Sequence, residues 1–155
     1  RMLEGGHYGV KADARDLFIT DSDDNIWAAA PEDGAGRWKQ EQLRHRLLTA
    51  PALLGDYVVV GDLEGWLHWI ARKDGTLAGR VKVASGAITA RPLVADGRLY
   101  VYAEDGTLAA LSPGGLTAGD RAAAGAASAG PSGGAGVVTS PDLPKPGSPT
   151  GGAAL

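Results

Sequence analysis

The stretch Asp56-Tyr-Val-Val-Val-Gly-Asp-Leu-Glu-Gly-Trp-Leu-His-Trp69 decides the fold of this 155-residue chain. It consists of a β-branched run, an acidic turn and a second run of aromatic and apolar residues. Such residues favour strands, and the Glu64-Gly65 dipeptide tolerates the positive φ that a tight hairpin requires. The stretch therefore predicts two antiparallel strands that are joined by a short turn.

The same pattern occurs twice more, at Asp16–Ala29 and at Gly97–Ala110. We align the turn residue Gly65 with Asn25 of the unit before it and with Gly106 of the unit after it. Each of the three turn residues follows an acidic residue. A recurring β-rich unit with a period of about 40 residues indicates a repeat architecture.

The repeated unit is longer than one hairpin. A second Asp-Gly turn recurs with nearly the same period, at Gly34 and Gly75, and a short strand follows it each time. An apolar strand with a Thr-Ala element and a proline precedes the second and third hairpins, at Leu48–Leu54 and Ile88–Val94. Four antiparallel strands in about 40 residues are typical of a β-propeller blade.

The period divides the chain into three blades, His7–Gln42, Leu47–Ala84 and Ile88–Ser112, of which the third lacks its last strand. Closed propellers have about four to eight blades, so two and three-quarter blades cannot close a ring. We therefore expect an all-β fold that forms the C-terminal part of a larger, eight-bladed propeller. In such a ring, the N-terminal segment supplies the missing strand of the last blade.

Residues 113–155 have a different composition from the rest of the chain. These 43 residues include 11 glycines, 10 alanines and 6 prolines, and none of them is aromatic. Such a segment cannot bury enough apolar surface to offset the cost of ordering its backbone. We predict two parts, a folded region at residues 1–112 and a disordered tail at residues 113–155.

Charge and composition exclude several classes of function. The formal net charge is -3 without a cluster of lysines and arginines, so no nucleic acid is expected as a partner. The chain has no cysteine, which excludes a disulfide framework, thiol catalysis and a thiolate metal site within it. No apolar run approaches the roughly 18 residues that a membrane-spanning helix requires.

Three runs carry a resemblance to a known family. The run Leu43–Pro51 reads Leu-Arg-His-Arg-Leu-Leu-Thr-Ala-Pro, and the run Val60–Ile70 reads Val-Gly-Asp-Leu-Glu-Gly-Trp-Leu-His-Trp-Ile. Together with Ala95–Leu108, they resemble the last blades of the BamB family, the propeller lipoproteins of the outer-membrane β-barrel assembly machinery. The resemblance covers Tyr8–Ser112 and none of the tail.

The resemblance implies a scaffold without catalysis or cofactor at the periplasmic face of a Gram-negative outer membrane. It also implies binding to the POTRA domains of BamA and to other subunits of the complex. A lipid would anchor the protein through a cysteine upstream of Arg1. We expect the partner-binding site at Leu43, Arg44, His45 and Arg46, because arginine can donate bidentate hydrogen bonds to acidic groups. An ordinary connection between blades remains the alternative.

Two other functions stay open. The run Ala29–Trp38 resembles the blade repeat of quinoprotein propellers, in which a small residue, an aspartate, a glycine and a tryptophan recur, and Trp38 is then expected to pack between blades. A dehydrogenase that uses pyrroloquinoline quinone would need a calcium ion, a catalytic carboxylate and stacking groups, and the sequence identifies none of them. The other possibility is an extracytoplasmic sensor propeller.

The remaining candidate sites have simpler interpretations. The acidic run Asp21–Asn25 with Glu32 resembles a calcium loop, but Ile26 stands where that loop requires glycine, so a hairpin turn is favoured. His68 has no second histidine at the spacing of a zinc site, and we expect a structural role for it. The sequence contains no nucleophile elbow and no phosphate-binding loop that follows a strand.

Overall fold

The computed structural model describes residues 9–112 of the chain. The predicted disordered tail lies outside the described residues, as do residues 1–8. The strands are, in chain order, β1 (Gly9–Ala12), β2 (Leu17–Thr20), β3 (Ile26–Ala29), β4 (Gly36–Gln40), β5 (Ala52–Leu54), β6 (Tyr57–Gly61), β7 (Trp66–Ala71), β8 (Leu77–Lys82), β9 (Leu93–Ala95), β10 (Arg98–Tyr102) and β11 (Leu108–Leu111). Within residues 9–112, no helix has the length and apolar character to cross a membrane.

The strands form three antiparallel sheets in which neighbours along the chain are also neighbours in the sheet. Strands β1 to β4 form blade 1, strands β5 to β8 form blade 2, and strands β9 to β11 form blade 3. This arrangement confirms the predicted all-β fold with four-stranded blades. It also confirms that the third blade has three strands within the described part of the chain.

The turn between the second and third strands has the same geometry in all three blades. Asp24, Gly65 and Gly106 have φ values of 61°, 82° and 89°. Their N–H groups donate to the carbonyl three residues earlier, at 3.1, 3.2 and 3.0 Å. The number of residues from Asp24 to Gly65 therefore equals the number from Gly65 to Gly106. Our alignment of Asn25 with the two glycines was wrong by one residue. Aspartate also tolerates positive φ, which is why Asp24 can take this position.

Blade 2 buries both of its faces because its side chains alternate along the strands. The residues that face blade 1 are Val58, Val60 and Ile70, and those that face blade 3 are Val59, Leu67, Trp69 and Val81. Phe18 and Ile26 of blade 1 complete the first core, and Leu99 and Val101 of blade 3 contribute to the second. Two apolar cores, one on each side of blade 2, therefore hold the three sheets face to face.

The first strands of blades 2 and 3 are shorter than predicted. Strands β5 and β9 begin four and five residues later than the apolar runs that we assigned to them. The residues before them form connections whose backbone pairs with blade 2: the Thr49 N–H donates to Gly61 O at 2.9 Å, and the Ile88 N–H donates to Asp62 O at 3.0 Å. Leu48, Ala50 and Ile88 are buried, but they belong to the junctions between blades.

The last strand of blade 1 reaches across to blade 2, as expected for Trp38. The Trp38 Nε1–H donates to Arg72 O at 2.8 Å, and the Gln40 amide donates to Gly75 O at 2.7 Å. The indole lies so close to Gly75 that a Cβ atom there would be 2.5 Å from the ring. Gly75 is therefore required both by its φ of 76° and by this contact.

A close approach at the other end of blade 2 provides a test of the packing. A Cβ atom on Gly61 would lie 2.5 Å from the buried Ile88 side chain, whereas one on Gly36 would meet nothing within 4 Å. We expect Gly61→Ala to lower the free energy of unfolding by about 1–3 kcal/mol through overpacking. Gly36→Ala is the matched control at an exposed strand position and should change stability by less than about 0.5 kcal/mol. Urea unfolding measures both, and equal stabilities would contradict this packing.

Candidate partner-binding site

The expected site lies in the connection between β4 and β5, on the rim that also carries the β6–β7 turn. Leu43 is only 3% exposed and packs in the core between blades 1 and 2. Arg44 and His45 are exposed, and Arg46 is partly buried. The structure therefore divides the four predicted residues into an apolar anchor, an exposed pair and a cation that turns towards blade 2.

Arg46 ties the connection to the β6–β7 turn. Its Nη1 lies 3.2 Å from Oδ2 of Asp62 and 3.7 Å from Oε2 of Glu64. Its backbone carbonyl accepts a hydrogen bond from the Leu63 N–H at 3.2 Å. Both the side chain and the backbone of Arg46 thus fix the position of Arg44 and His45 relative to blade 2.

Asp62 is the centre of this corner and is fully buried. Its Oδ1 accepts the N–H groups of Glu64 at 2.9 Å and Trp66 at 3.0 Å, and its Oδ2 lies 2.8 Å from Nε2 of His68. Burial raises the pKa of the Asp62 carboxyl, but the hydrogen bonds from His68 and from the Trp66 N–H outweigh burial and hold that pKa below its ordinary value. A buried carboxylate is tolerated here because each oxygen has donors.

The partnership of His68 with Asp62 was not predicted from the sequence, although the structural role expected for His68 agrees with it. Blade 1 repeats the arrangement: Asp21 occupies the position of Asp62, and the Trp27 Nε1–H donates to its Oδ2 at 2.7 Å. In both blades the donor follows the aspartate by six residues. That repeated spacing was the signal in the sequence that could have identified the pair.

The acidic run of blade 1 forms the expected hairpin turn. The Asp21 carboxylate accepts the N–H groups of Asp23 and Asn25, both at 2.9 Å. The Asp24 carboxylate accepts those of Leu47 at 2.9 Å and Leu48 at 2.8 Å. Both carboxylates are therefore occupied by the chain's own N–H groups. Within residues 9–112, no three His, Asp or Glu side chains come together as a potential metal site.

The opposite rim contains a cleft of about 870 Å³ between blades 1 and 2. Arg72 crosses it: its guanidinium pairs with Asp13 of blade 1 and donates to Gly55 O at 3.1 Å. The same guanidinium lies 5.3 Å from the centre of the Phe18 ring. Arg72 thus joins the two blades at this rim, and the polar groups that it contacts stabilise the junction between the blades.

A protein-family model described as outer membrane protein assembly factor BamB matches residues 22–118. This chain belongs to the BamB family. The match extends from the β2–β3 turn through blade 3 and includes the corner at Arg44 and His45. It confirms the resemblance that the sequence showed.

Curated relatives carry the same family name. BamB of Alkalilimnicola ehrlichii is 43% identical over 107 residues, which cover 68% of this chain and 28% of that protein. BamB of Escherichia coli is 39% identical over 100 residues, which cover 64% of this chain and 26% of that protein. The chain thus spans about a quarter of the length of these BamB relatives.

Solved structures agree with the blade architecture. The crystal structure of BamB from Moraxella catarrhalis matches 65% of this chain and 30% of that chain with a TM-score of 0.60 and 28% identity. A quinohemoprotein alcohol dehydrogenase from Pseudomonas putida matches 69% of this chain and 19% of its own, with a TM-score of 0.57 and 20% identity. At that identity the second likeness shows only a shared fold.

The buried pair provides a pH-dependent test. We expect Asp62→Asn to lower the free energy of unfolding at pH 7 by about 3 kcal/mol, because it removes the charge that His68 and Arg46 face. Since the folded pKa of Asp62 is depressed, its contribution is present above about pH 4 and is lost as the pH falls further. The variant should therefore lose less stability than the wild type below pH 4, as measured by urea unfolding from pH 3 to pH 7.

The matched control is Asp56→Asn, which alters an exposed aspartate at the opposite end of β6. It should leave stability within about 0.5 kcal/mol of the wild type. Equal effects of the two substitutions would show that the buried carboxylate contributes nothing specific to the corner.

Proposed function

We propose that this chain acts as a non-enzymatic scaffold in the assembly of outer-membrane β-barrel proteins, at the periplasmic face of the outer membrane. Its partners in this proposal are the POTRA domains of BamA and other subunits of the assembly complex. The observation that carries the proposal is the BamB family match, which spans residues 22–118 and most of the described blades. The names of the curated relatives, from Gram-negative bacteria, support it.

The chemistry of the corner supports a binding role. The carboxylates of Asp24 and Asp62 are occupied by hydrogen bonds within the chain. Of the four residues predicted for the site, Arg44 and His45 have side chains that face solvent. An exposed arginine on a fixed loop can donate paired hydrogen bonds to a partner's carboxylate, which favours recognition of a protein surface.

Binding to BamA tests the proposal directly. We expect the 155-residue chain to bind the purified periplasmic domains of BamA in a calorimetric titration or a pull-down. Arg44→Glu should weaken binding about tenfold, because charge reversal replaces an attractive contact by a repulsive one. The matched control is Arg15→Glu on the opposite rim, where Arg15 is also exposed, and it should leave the affinity unchanged.

Two outcomes would count against the proposal. If folded wild-type chain does not bind the BamA domains, the scaffold role fails. If Arg15→Glu weakens binding as much as Arg44→Glu does, the partner responds to overall charge, and the corner is not its site.

Dye reduction separates the scaffold from the quinoprotein alternative. We expect no turnover of an alcohol with pyrroloquinoline quinone, calcium and an artificial electron acceptor, because the likeness to a dehydrogenase is limited to the fold. The P. putida dehydrogenase is the positive control. Turnover above the rate of the protein-free mixture would overturn the scaffold assignment.

A further inference from the structure

Two large apolar side chains are exposed next to the predicted corner. Leu47 is 40% exposed and Leu63 is 43% exposed. The segments that carry them are directly bonded, since the Leu63 N–H donates to the carbonyl of Arg46. Both leucines therefore lie on one part of the rim, at the junction of blades 1 and 2.

Their exposure does not come from an uncovered blade face. Blade 2 has a described neighbour on each side, and its two faces are buried in two cores. Among residues 9–112, the other large exposed apolar residues are Val10, Leu93 and Val94, which lie on β1 and β9. Those strands belong to blades with a described neighbour on one side only. Leu47 and Leu63 are thus exposed where the packing of the blades is complete.

The conformation that exposes Leu47 is a strained one. Leu47 has a φ of 53° and His45 a φ of 65°, in the left-handed region that non-glycine residues rarely occupy. Such a conformation costs on the order of 1–3 kcal/mol and persists only where surrounding contacts impose it. The Asp24 carboxylate imposes it here, through its bond to the Leu47 N–H, and Arg46 adds its bonds to Asp62. Strain of this kind is concentrated at binding sites.

The charges beside the two leucines indicate the chemistry of the partner. Arg44 is exposed; the nearby acid Glu41 is bonded to Lys39 at 2.5 Å, and the charge of Arg44 adds to the effect of Lys39 in lowering the pKa of Glu41. Glu64, the acid beside Leu63, faces Arg46 at 3.7 Å. Arg44 is thus an exposed cation in the same connection as Leu47, three residues before it.

We propose that Leu47, Leu63 and Arg44 form a single docking surface for a partner segment that carries an apolar side chain beside a carboxylate. The leucines bury the apolar side chain, and Arg44 donates to the carboxylate. Asp24 and Asp62 are positioning residues, since they hold the connection without facing the partner. This inference rests on the proposed function for the identity of the partner, the BamA periplasmic domains, but the chemistry of the surface follows from its own residues.

The test uses the full chain with Leu47→Asn or Leu63→Asn. Asparagine removes the apolar contact, and at position 47 it tolerates the positive φ that leucine does not favour, so the fold should be retained or stabilised. We expect each variant to weaken binding to the BamA periplasmic domains about tenfold. Leu93→Asn, which alters an exposed leucine away from the corner, should bind as the wild type does. Thermal unfolding confirms that the variants compared are folded.

A peptide titration tests the surface without BamA. Two synthetic hexapeptides, one alternating aspartate with leucine and one alternating lysine with leucine, are titrated while amide chemical shifts are recorded. We expect the acidic peptide to shift the amides of Leu47 and Leu63 and to bind about tenfold more tightly than the basic one. Leu47→Asn should remove the difference.

The outcomes separate the two proposals. Binding of BamA that is lost in the Leu47 and Leu63 variants supports the docking surface. Binding of BamA that both variants retain overturns the surface and leaves the scaffold role intact. If BamA does not bind at all, the scaffold role fails, and the peptide titration alone decides the surface: a preference for the acidic peptide at Leu47 supports it, and the absence of such a preference overturns it.

Discussion

The burial of both faces of the middle sheet is the constraint on which this structure depends. A sheet with valine, isoleucine, leucine and tryptophan on alternate sides cannot remain in water, because each such side chain loses about 1.5–3 kcal/mol when it is left exposed. Blade 2 resolves this by lying between Phe18 and Ile26 on one side and Leu99 and Val101 on the other. The connections from one blade to the next must pass over the junctions that these two cores form. The course of the connections along the rim therefore follows from the burial of blade 2.

The connections are held by carboxylates that would be costly to bury without donors. Asp24 accepts two N–H groups from the connection that leads into blade 2, and Asp62 accepts donors from its own turn and from Arg46. In blade 3 the Asp105 carboxylate accepts the N–H groups of Ser85 and Gly86 in the neighbouring connection. Burial raises the pKa of this carboxyl, but hydrogen bonds from Thr107, followed by those from Gly86 and Ser85, lower it to about 2. The rim is thus rigid because acidic turn residues pair with the neighbouring connection.

The repeat in the sequence was sufficient to predict the class of fold and the order of the strands, and the resemblance of Ala29–Trp38 to a quinoprotein blade repeat implied the interblade position of Trp38. It did not resolve single residues. Asn25 was aligned with glycines because the residue types suit the same turn, whereas hydrogen bonding places Asp24 there. The burial of Leu43 within a polar run and the six-residue pairing of Asp62 with His68 were also missed. The burial of Leu43 depends on how one blade meets the next, which composition and period do not specify. The pair lies within one hairpin, and only its repeated spacing in blade 1 marks it in the sequence.

The contact from Trp38 and Gln40 to blade 2 has a direction. The last strand of one blade donates to the backbone of the next blade around Arg72 and Gly75, so the two surfaces that meet are different. An interface of this kind is heterologous, and repeating it adds units head to tail until a rotation closes them into a ring or they continue as an open array. Blades of this type therefore cannot pair with themselves about a two-fold axis through these surfaces. Self-association through these two surfaces would add further units to the stack of blades, all with the same orientation.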